Sequence, residues 1–453
     1  MDGLSPGLDI AVIGSGIAGL SAAWALSQRH RVTVYEAEAR IGGHSNTVDV
    51  GDLGIDTGFI VFNEHTYPNL TALLRHLGVE TEASDMSFSV SKGDGAFEYA
   101  GSDLRGLLAQ PENLLRPRFW SMMKDLKRFY AEAPGAIAQA EESAVSLSDW
   151  LDARGYGRAF REDHLLPMAS AIWSTPTGAI GNYPAGAFLR FCQNHALLQF
   201  TGRPVWRTVS GGSRRYVEKL VAGISGDVFT SRPIRAVHRR RAGVVLHDDS
   251  GIPLHHDHVV IATHAHQALG LLPDADTEER ALLRAFGTTR NLALLHQDKS
   301  LMPRRERAWS SWNFVEQPVR GRPLPFLSYW MNRLQNLPGA EDYFVTINPP
   351  RTPAPGTLLR CETYNHPLFD ARSMAAQRQL WRIEGRRRTW FCGAWFGAGF
   401  HEDGLQAGLA VAEALGGVRR PWQVAGESGR IHLPDPVLGF AAASRGAAAM
   451  AAE

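Results

Sequence analysis

The hexapeptide Gly14-Ser15-Gly16-Ile17-Ala18-Gly19 constrains this chain more than any other feature. It lies between an apolar β-type run, Ile10 to Ile13, and a helical pattern carried by Leu20, Ala23 and Trp24. Glycine at those three places permits a tight turn, close approach of backbone to a pyrophosphate, and close helix packing, while the following helix N-terminus attracts phosphate charge. A second β-type run, Arg31 to Tyr35, ends in Glu36, about 20 residues after the first glycine, where a carboxylate accepts hydrogen bonds from a ribose and disfavours a 2'-phosphate. Strand, glycines, helix, strand and acid in register predict a doubly wound dinucleotide-binding unit.

The continuation Glu36-Ala37-Glu38-Ala39-Arg40-Ile41-Gly42-Gly43-His44 separates FAD from NAD. An acid, a basic residue and a glycine pair resemble the extended FAD signature of the amine oxidase, protoporphyrinogen oxidase and phytoene desaturase superfamily. That resemblance implies contacts to the cofactor from Gly42, Gly43 and the residue after them. Amine oxidases usually place Arg there; this chain has His44, which donates one hydrogen bond and brings less charge.

Later segments extend the resemblance. Ile55 to Leu70, "IDTGFIVFNEHTYPNL", matches the segment that lies beside the isoalloxazine in this superfamily, implying contacts from Gly58 and Phe59. "TVSGGSRRYVEKL", "DVFTSRPIRAVHRR" and "DHVVIATHAHQAL" match the second cofactor-domain block, in which the backbone of Ile234 would meet the adenine. "RRTWFCGAWFGAGFHEDGLQAGLAVAEALGG" reads as a strand, a glycine-rich turn and a helix. It implies that Gly393, Asp403, Gly404 and Leu405 complete the same site around the flavin ring.

The expected architecture is therefore α/β: a Rossmann-like, glutathione-reductase-like FAD-binding domain with a mixed α+β substrate domain inserted in two segments. The cofactor domain is expected at 1–79, 201–270 and 385–420. A largely helical substrate segment is expected at 80–200, a sheet segment at 271–384, and a C-terminal tail at 421–453 that is Ala-rich and loosely ordered from Pro436.

Lys plus Arg number 47 against 46 Asp plus Glu, so charge gives no reason to expect nucleic acid as a partner. The three cysteines are isolated, without C-x-x-C or a His cluster at metal-ligand spacing, and no metal is expected. The start MDGLSPGLD lacks the basic and apolar pattern of a secretory signal, so the expected location is cytoplasmic. "RPRFWSMMKDLKRFY", Arg116 to Tyr130, places apolar residues at helical spacing with five cations nearby, a pattern suited to peripheral contact with an anionic inner membrane surface.

Over nearly its whole length the chain resembles the predicted NAD/FAD-binding flavoproteins often encoded beside cyclopropane-fatty-acyl-phospholipid synthases. The match rests on phrases such as YPNLTALLRHLGV, LLPMASAIWSTP and FHEDGLQAGLAVAEAL. It implies non-covalent FAD, a fatty acyl substrate linked to phospholipid, and such a synthase as functional partner. The expected reaction is FAD-dependent desaturation of a methylated or cyclopropanated chain. Amine oxidation, double-bond isomerisation and a non-catalytic lipid or flavin carrier remain alternatives. In amine oxidases a lysine holds a water near the flavin N5, and no residue of this sequence is assigned that role.

Ten aromatic residues, Trp173, Phe188, Phe191, Phe200, Trp206, Trp309, Trp312, Phe326, Tyr329 and Trp330, concentrate in the expected substrate segments and suit an apolar ligand. Polar candidates beside the flavin are His401 and Glu402, followed by Asn63 and Tyr329.

Overall fold

The computed structural model describes residues 7–101, 104–143, 145–173, 177–194, 196–199, 202–319 and 322–434. Phe200 and the Ala-rich stretch from Pro436 lie outside these described residues.

Five parallel strands form the cofactor-domain sheet in the order Val228–Phe229, Arg31–Tyr35, Asp9–Ile13, His258–Ile261, Thr389–Phe391. Their apolar runs are almost wholly buried, as expected of a parallel sheet covered on both faces. The sequence between the first two strands forms the helix Ile17–Leu26, buried at every position. It packs against the C-terminal helix His401–Gly416, and the contact depends on missing side chains: a Cβ on Gly408 would lie 2.2 Å from the carbonyl oxygen of Ala18. The first and last parts of the chain thus close one layer. The fold is the expected Rossmann-like cofactor domain with an inserted substrate domain.

The two inserted segments share one seven-stranded sheet. Its order is Leu358–Leu368, Gly287–His296, Phe344–Ile347, Arg322–Trp330, Trp312–Val319, Phe88–Lys92, Phe97–Ala100. The joint is the parallel pairing of Phe88–Lys92 with Trp312–Val319, between residues more than two hundred positions apart in sequence. Above it lies a helical lobe whose longest element is Pro117–Ser143.

Two features depart from the sequence reading, and one adds to it. The strand Thr81–Ser84 pairs with Trp206–Val209, which also pairs with Val61–Asn63, so the start of the first insertion belongs to a small sheet at the domain junction. The first part of the C-terminal tail is tied to the cofactor domain, with Trp422 stacked near Trp24 and Arg430 ion-paired to Asp403. Finally, Phe119, Met122, Leu126 and Phe129 of the basic helix are buried inside the lobe. Its apolar stripe is core, because covering it against neighbouring helices removes it from water, and it is not free to meet a bilayer.

No helix among the described residues is long and apolar enough to cross a membrane.

Candidate active site

One cavity of about 1230 Å³ runs between the cofactor domain and the substrate domain. That exceeds the roughly 300–1,000 Å³ of a typical ligand pocket and can hold a cofactor together with a second molecule. Its two arms differ in chemistry.

The first arm is built from backbone and glycine. Gly14, Ser15, Gly16, Ile17 and Ala18 line it, together with Glu36, Ala37, Arg40, Gly43, His44, Gly58, Phe59, Ile234 and Gly393. Gly14 has φ +100°, and a Cβ there would stand 2.8 Å from the oxygen of Ala262. Gly16 is different: a Cβ there would meet nothing within 4 Å, so protein packing does not require glycine at this position. It caps the helix Ile17–Leu26 without any side-chain hydrogen bond, leaving a bare helix N-terminus directed at open space. Such a terminus suits a diphosphate. Glu36 accepts hydrogen bonds from the amide (2.9 Å) and hydroxyl (2.6 Å) of Ser15, which fix its carboxylate at the cavity. These residues fit FAD: bare amides for the phosphates and an oriented acid for a ribose.

Gly19 and Gly42 are absent from the wall. A Cβ on Gly19 would lie 2.0 Å from the oxygen of Gly14, and one on Gly42 would lie 2.6 Å from that of Ser45, so both serve close packing behind the loop. Gly404 and Leu405 also stand behind it. The amide of Gly404 donates to Phe400 inside the helix, and Leu405 is fully buried. The cavity is met instead by Phe400 and His401. Asp403 accepts from the amide of Phe400 (2.7 Å) and pairs with Arg430 (2.6 Å), so its carboxylate organises the turn rather than facing the cavity.

Of the polar candidates, His401 and Tyr329 line the cavity, while Glu402 and Asn63 do not. Both carboxylate oxygens of Glu402 are occupied, by Asn69 and Gln406 on one and by the amide of Leu70 (3.0 Å) on the other. Glu402 fastens the start of the helix Pro68–His76. Asn63 accepts from the amide of Thr66 (2.8 Å) and shapes a turn. His401 stacks on Phe59 with ring centroids 3.9 Å apart and lies 2.6 Å from the hydroxyl of Tyr216. Burial, aided by His44, lowers its pKa to about 3, so it is a neutral hydrogen-bonding group and a weak base.

His44, expected at the cofactor, has two neighbours that sequence reasoning missed, His264 and His366. His44, His264 and His366 face one another, with His44 5.4 Å from His366 and 6.4 Å from His264, and the ring of Tyr364 lies 5.1 Å from His44. Burial, first among the causes, takes their pKa values to about 3, 4 and 4, respectively. Asn348 donates to Asn291, which donates to Nδ1 of His366 (2.7 Å each), so the ring proton of His366 sits on Nε2. His264 follows the end of a parallel strand, a position that could have marked it in sequence. His366 lies within a long strand and carries no local mark. Among the described residues no group of three or more His, Cys, Asp and Glu could hold a metal ion.

The second arm is apolar. Of the aromatic candidates, Trp173, Phe191, Trp206, Trp312 and Tyr329 line it, and Phe188, Trp309, Phe326 and Trp330 do not. Trp312 and Tyr329 meet edge to face at 4.9 Å. No lysine among the described residues lines either arm. Asp85, at the wall of the apolar arm, is matched with Arg333 (3.1 Å).

The family model for flavin containing amine oxidoreductases matches residues 17–336. Over 249 residues the chain is 26% identical to a putative flavin-containing monoamine oxidase, AofH, of Mycobacterium tuberculosis, covering 54% of each. Over 185 residues it is 30% identical to the zeta-carotene desaturase of Capsicum annuum, covering 37% of this chain and 31% of that protein. The chain thus spans about half the length of the curated monoamine oxidase it matches. Among solved structures, putrescine oxidase bound to putrescine superposes with a TM-score of 0.66 at 15% identity, covering 90% of this chain and 99% of that one. A CLA-producing fatty acid isomerase from P. acnes gives 0.62 at 17%, covering 90% and 98%. With a bare helix N-terminus and an oriented acid that fit FAD, and a family match across most of its length, this chain belongs to the flavin containing amine oxidoreductase family.

Proposed function

We propose that the protein removes hydrogen from an apolar chain, as a desaturase or dehydrogenase of a methylated or cyclopropanated fatty acyl group. The observation that carries this reading is the apolar arm, walled by Trp173, Phe191, Trp206, Trp312 and Tyr329 and opening into the glycine-lined arm. An ammonium would find its nearby carboxylate, Asp85, already matched with Arg333, and no lysine in the walls. The desaturase among the relatives and the isomerase among the similar folds are named for carotene and fatty acid, both apolar chains.

Bound FAD supplies a hydride acceptor. The chain's own residues do the rest. Aromatic walls bury the substrate and exclude water, which strengthens the polar interactions at the junction of the arms. His401, held by Tyr216 and Phe59, stands at that junction as an orienting group. Its depressed basicity makes it unsuited to remove a proton from carbon unaided.

Lipid access is assigned to a different surface from the buried stripe of the basic helix, formed by that helix's outer face and the segment before it. Leu108, Leu114, Leu115 and Trp120 are exposed, beside the exposed cations Lys124 and Lys127, and Leu107 of the same stretch lines the cavity. This surface is proposed to meet a membrane. A cyclopropane-fatty-acyl-phospholipid synthase remains the proposed functional partner.

The deciding experiment mixes the purified holoprotein, without oxygen, with methylated or cyclopropanated lipid, plain lipid and amines. Loss of the visible flavin band with modified lipid supports desaturation. Bleaching by amines alone overturns it, and a shifted double bond with oxidised flavin indicates the isomerase.

A further inference from the structure

Deepening the reading above and resting on it, we propose that the open end of the apolar arm is a carboxyl-binding site, in which Arg203 and His164 hold the terminus of a free acyl chain.

His164 lies in the five-residue π-helical turn Arg161–Leu165, is 8% exposed and lines the cavity. Single π-turns are uncommon and frequently occur at functional sites. The Tyr99 hydroxyl lies 2.9 Å from both the carbonyl oxygen of Asp163 and Nδ1 of His164. That hydroxyl has one proton and the carbonyl can only accept, so both bonds form only if Tyr99 donates to Asp163 and His164 donates through Nδ1. Nε2 is therefore a lone-pair acceptor. It is buried and has no partner among the described residues. Leaving such a group unpaired is costly, and a proton shared with a ligand would relieve that cost.

Arg203 lines the same arm and is exposed at its rim beside Val205, which is 66% exposed. Its Nε donates to the carbonyl of Gln199 (2.9 Å) and its guanidinium also engages Tyr130, but no carboxylate among the described residues pairs with it. Arg203 and His164 line the same cavity, and the guanidinium is near enough to act electrostatically on the imidazole. The other acid nearby, Asp163, is taken by Lys92 (2.9 Å) and Arg118 (2.6 Å).

An acceptor nitrogen beside a guanidinium asks for an anion basic enough to share a proton with it. A carboxylate does: one oxygen meets Arg203, and one proton taken up from water on binding is shared between the other oxygen and Nε2. A methyl ester has no charge for Arg203, a phosphodiester is too weak a base to share that proton, and an amine is repelled by Arg203. The site also has the right placement. The helix Leu166–Trp173 leads from His164 to Trp173, whose ring lies 6.3 Å from that of Phe400 beside His401. At 1.5 Å per residue this separates His164 from Trp173 by roughly 13 Å, with the cofactor arm beyond, so a chain anchored at the rim would present an interior carbon to the flavin.

The test titrates the holoprotein with palmitate, methyl palmitate and dipalmitoylphosphatidylglycerol vesicles, reading tryptophan fluorescence. Palmitate is expected to bind well above its methyl ester, and Arg203→Gln and His164→Phe are each expected to weaken it about tenfold without changing the visible flavin spectrum. Equal binding of acid and ester, no binding of palmitate, or palmitate affinity unchanged in both variants overturns the proposal. A response to vesicles that depends on Arg203 and exceeds that to palmitate assigns the site to a phospholipid phosphate instead, and overturns the carboxyl. Arg203-dependent palmitate binding in a protein whose flavin only amines reduce would leave this site standing and remove the desaturase reading.

Discussion

Asp403 and Arg430 form an ion pair at 2.6 Å in which both side chains are largely withdrawn from water. The pair ties the first turn of the C-terminal helix, whose start faces the cavity, to residues that follow Trp422. Arg430 also donates to the carbonyl of Thr66 (2.7 Å), joining a third segment. Removing one partner leaves the other charge buried and uncompensated, so Arg430→Gln or Asp403→Ala should cost about 3–5 kcal/mol. Urea unfolding of each variant measures this, and a loss below about 1 kcal/mol would show that the pair is solvated in solution.

Gly16 separates cofactor binding from folding. Because a Cβ there meets no protein atom within 4 Å, Gly16→Val should leave the melting of the cofactor-free protein within a few degrees of wild type while flavin content falls sharply. Gly14→Val, by contrast, forces a side chain against Ala262 at positive φ and should destabilise both forms. Paired melting curves and flavin absorbance distinguish the two.

The imidazoles at the cavity predict acid sensitivity. His44, His264, His366 and His401 are neutral in folded and unfolded chains above pH 6.5, their ordinary value. As pH falls toward the folded values of about 3 to 4, the unfolded chain takes up protons that the folded chain cannot, and stability declines. Each such group contributes about 1.4 kcal/mol per pH unit within that window. Unfolding free energies measured from pH 7 downward should therefore fall more shallowly for His44→Gln than for wild type.

If Leu115 and Trp120 meet a membrane, sedimentation with anionic vesicles should weaken severalfold in Leu115→Glu and Trp120→Glu while flavin content is retained. Both side chains are exposed, so neither change disturbs the core. Equal sedimentation of wild type and variants would remove this surface from consideration.

Thiol chemistry offers a simple check on the cofactor's attachment. Cys192 and Cys392 are buried, and burial raises both thiols, whereas Cys361 is exposed. A thiol reagent should label one cysteine in the native protein and three after denaturation. Acid precipitation should release the flavin to the supernatant; flavin retained in the pellet would contradict non-covalent binding.

Local chemistry made the cofactor half legible. The strand, the glycine turn and the helix around Gly14 to Gly19 each follow from neighbouring residues, and backbone that approaches a phosphate demands glycine whatever the remainder of the chain does. The substrate half was legible only as a composition. That Trp312 and Tyr329 line the cavity while Trp330 packs behind it follows from the register of two strands, which sequence spacing alone does not determine.

By itself, then, the sequence determined the dinucleotide fold, the acid at Glu36 and the family, because these rest on short-range geometry that a few residues enforce. Tertiary structure alone decided the roles of single polar side chains. Glu402 looked like an acid or base and proves to fasten a helix start from more than three hundred residues away in the chain. His366 carries no local mark in the sequence and proves to face His44 across the cavity wall. Polar groups acquire their chemistry from whatever donor, acceptor or charge folding brings within about 3 Å, and those partners come from distant parts of the chain.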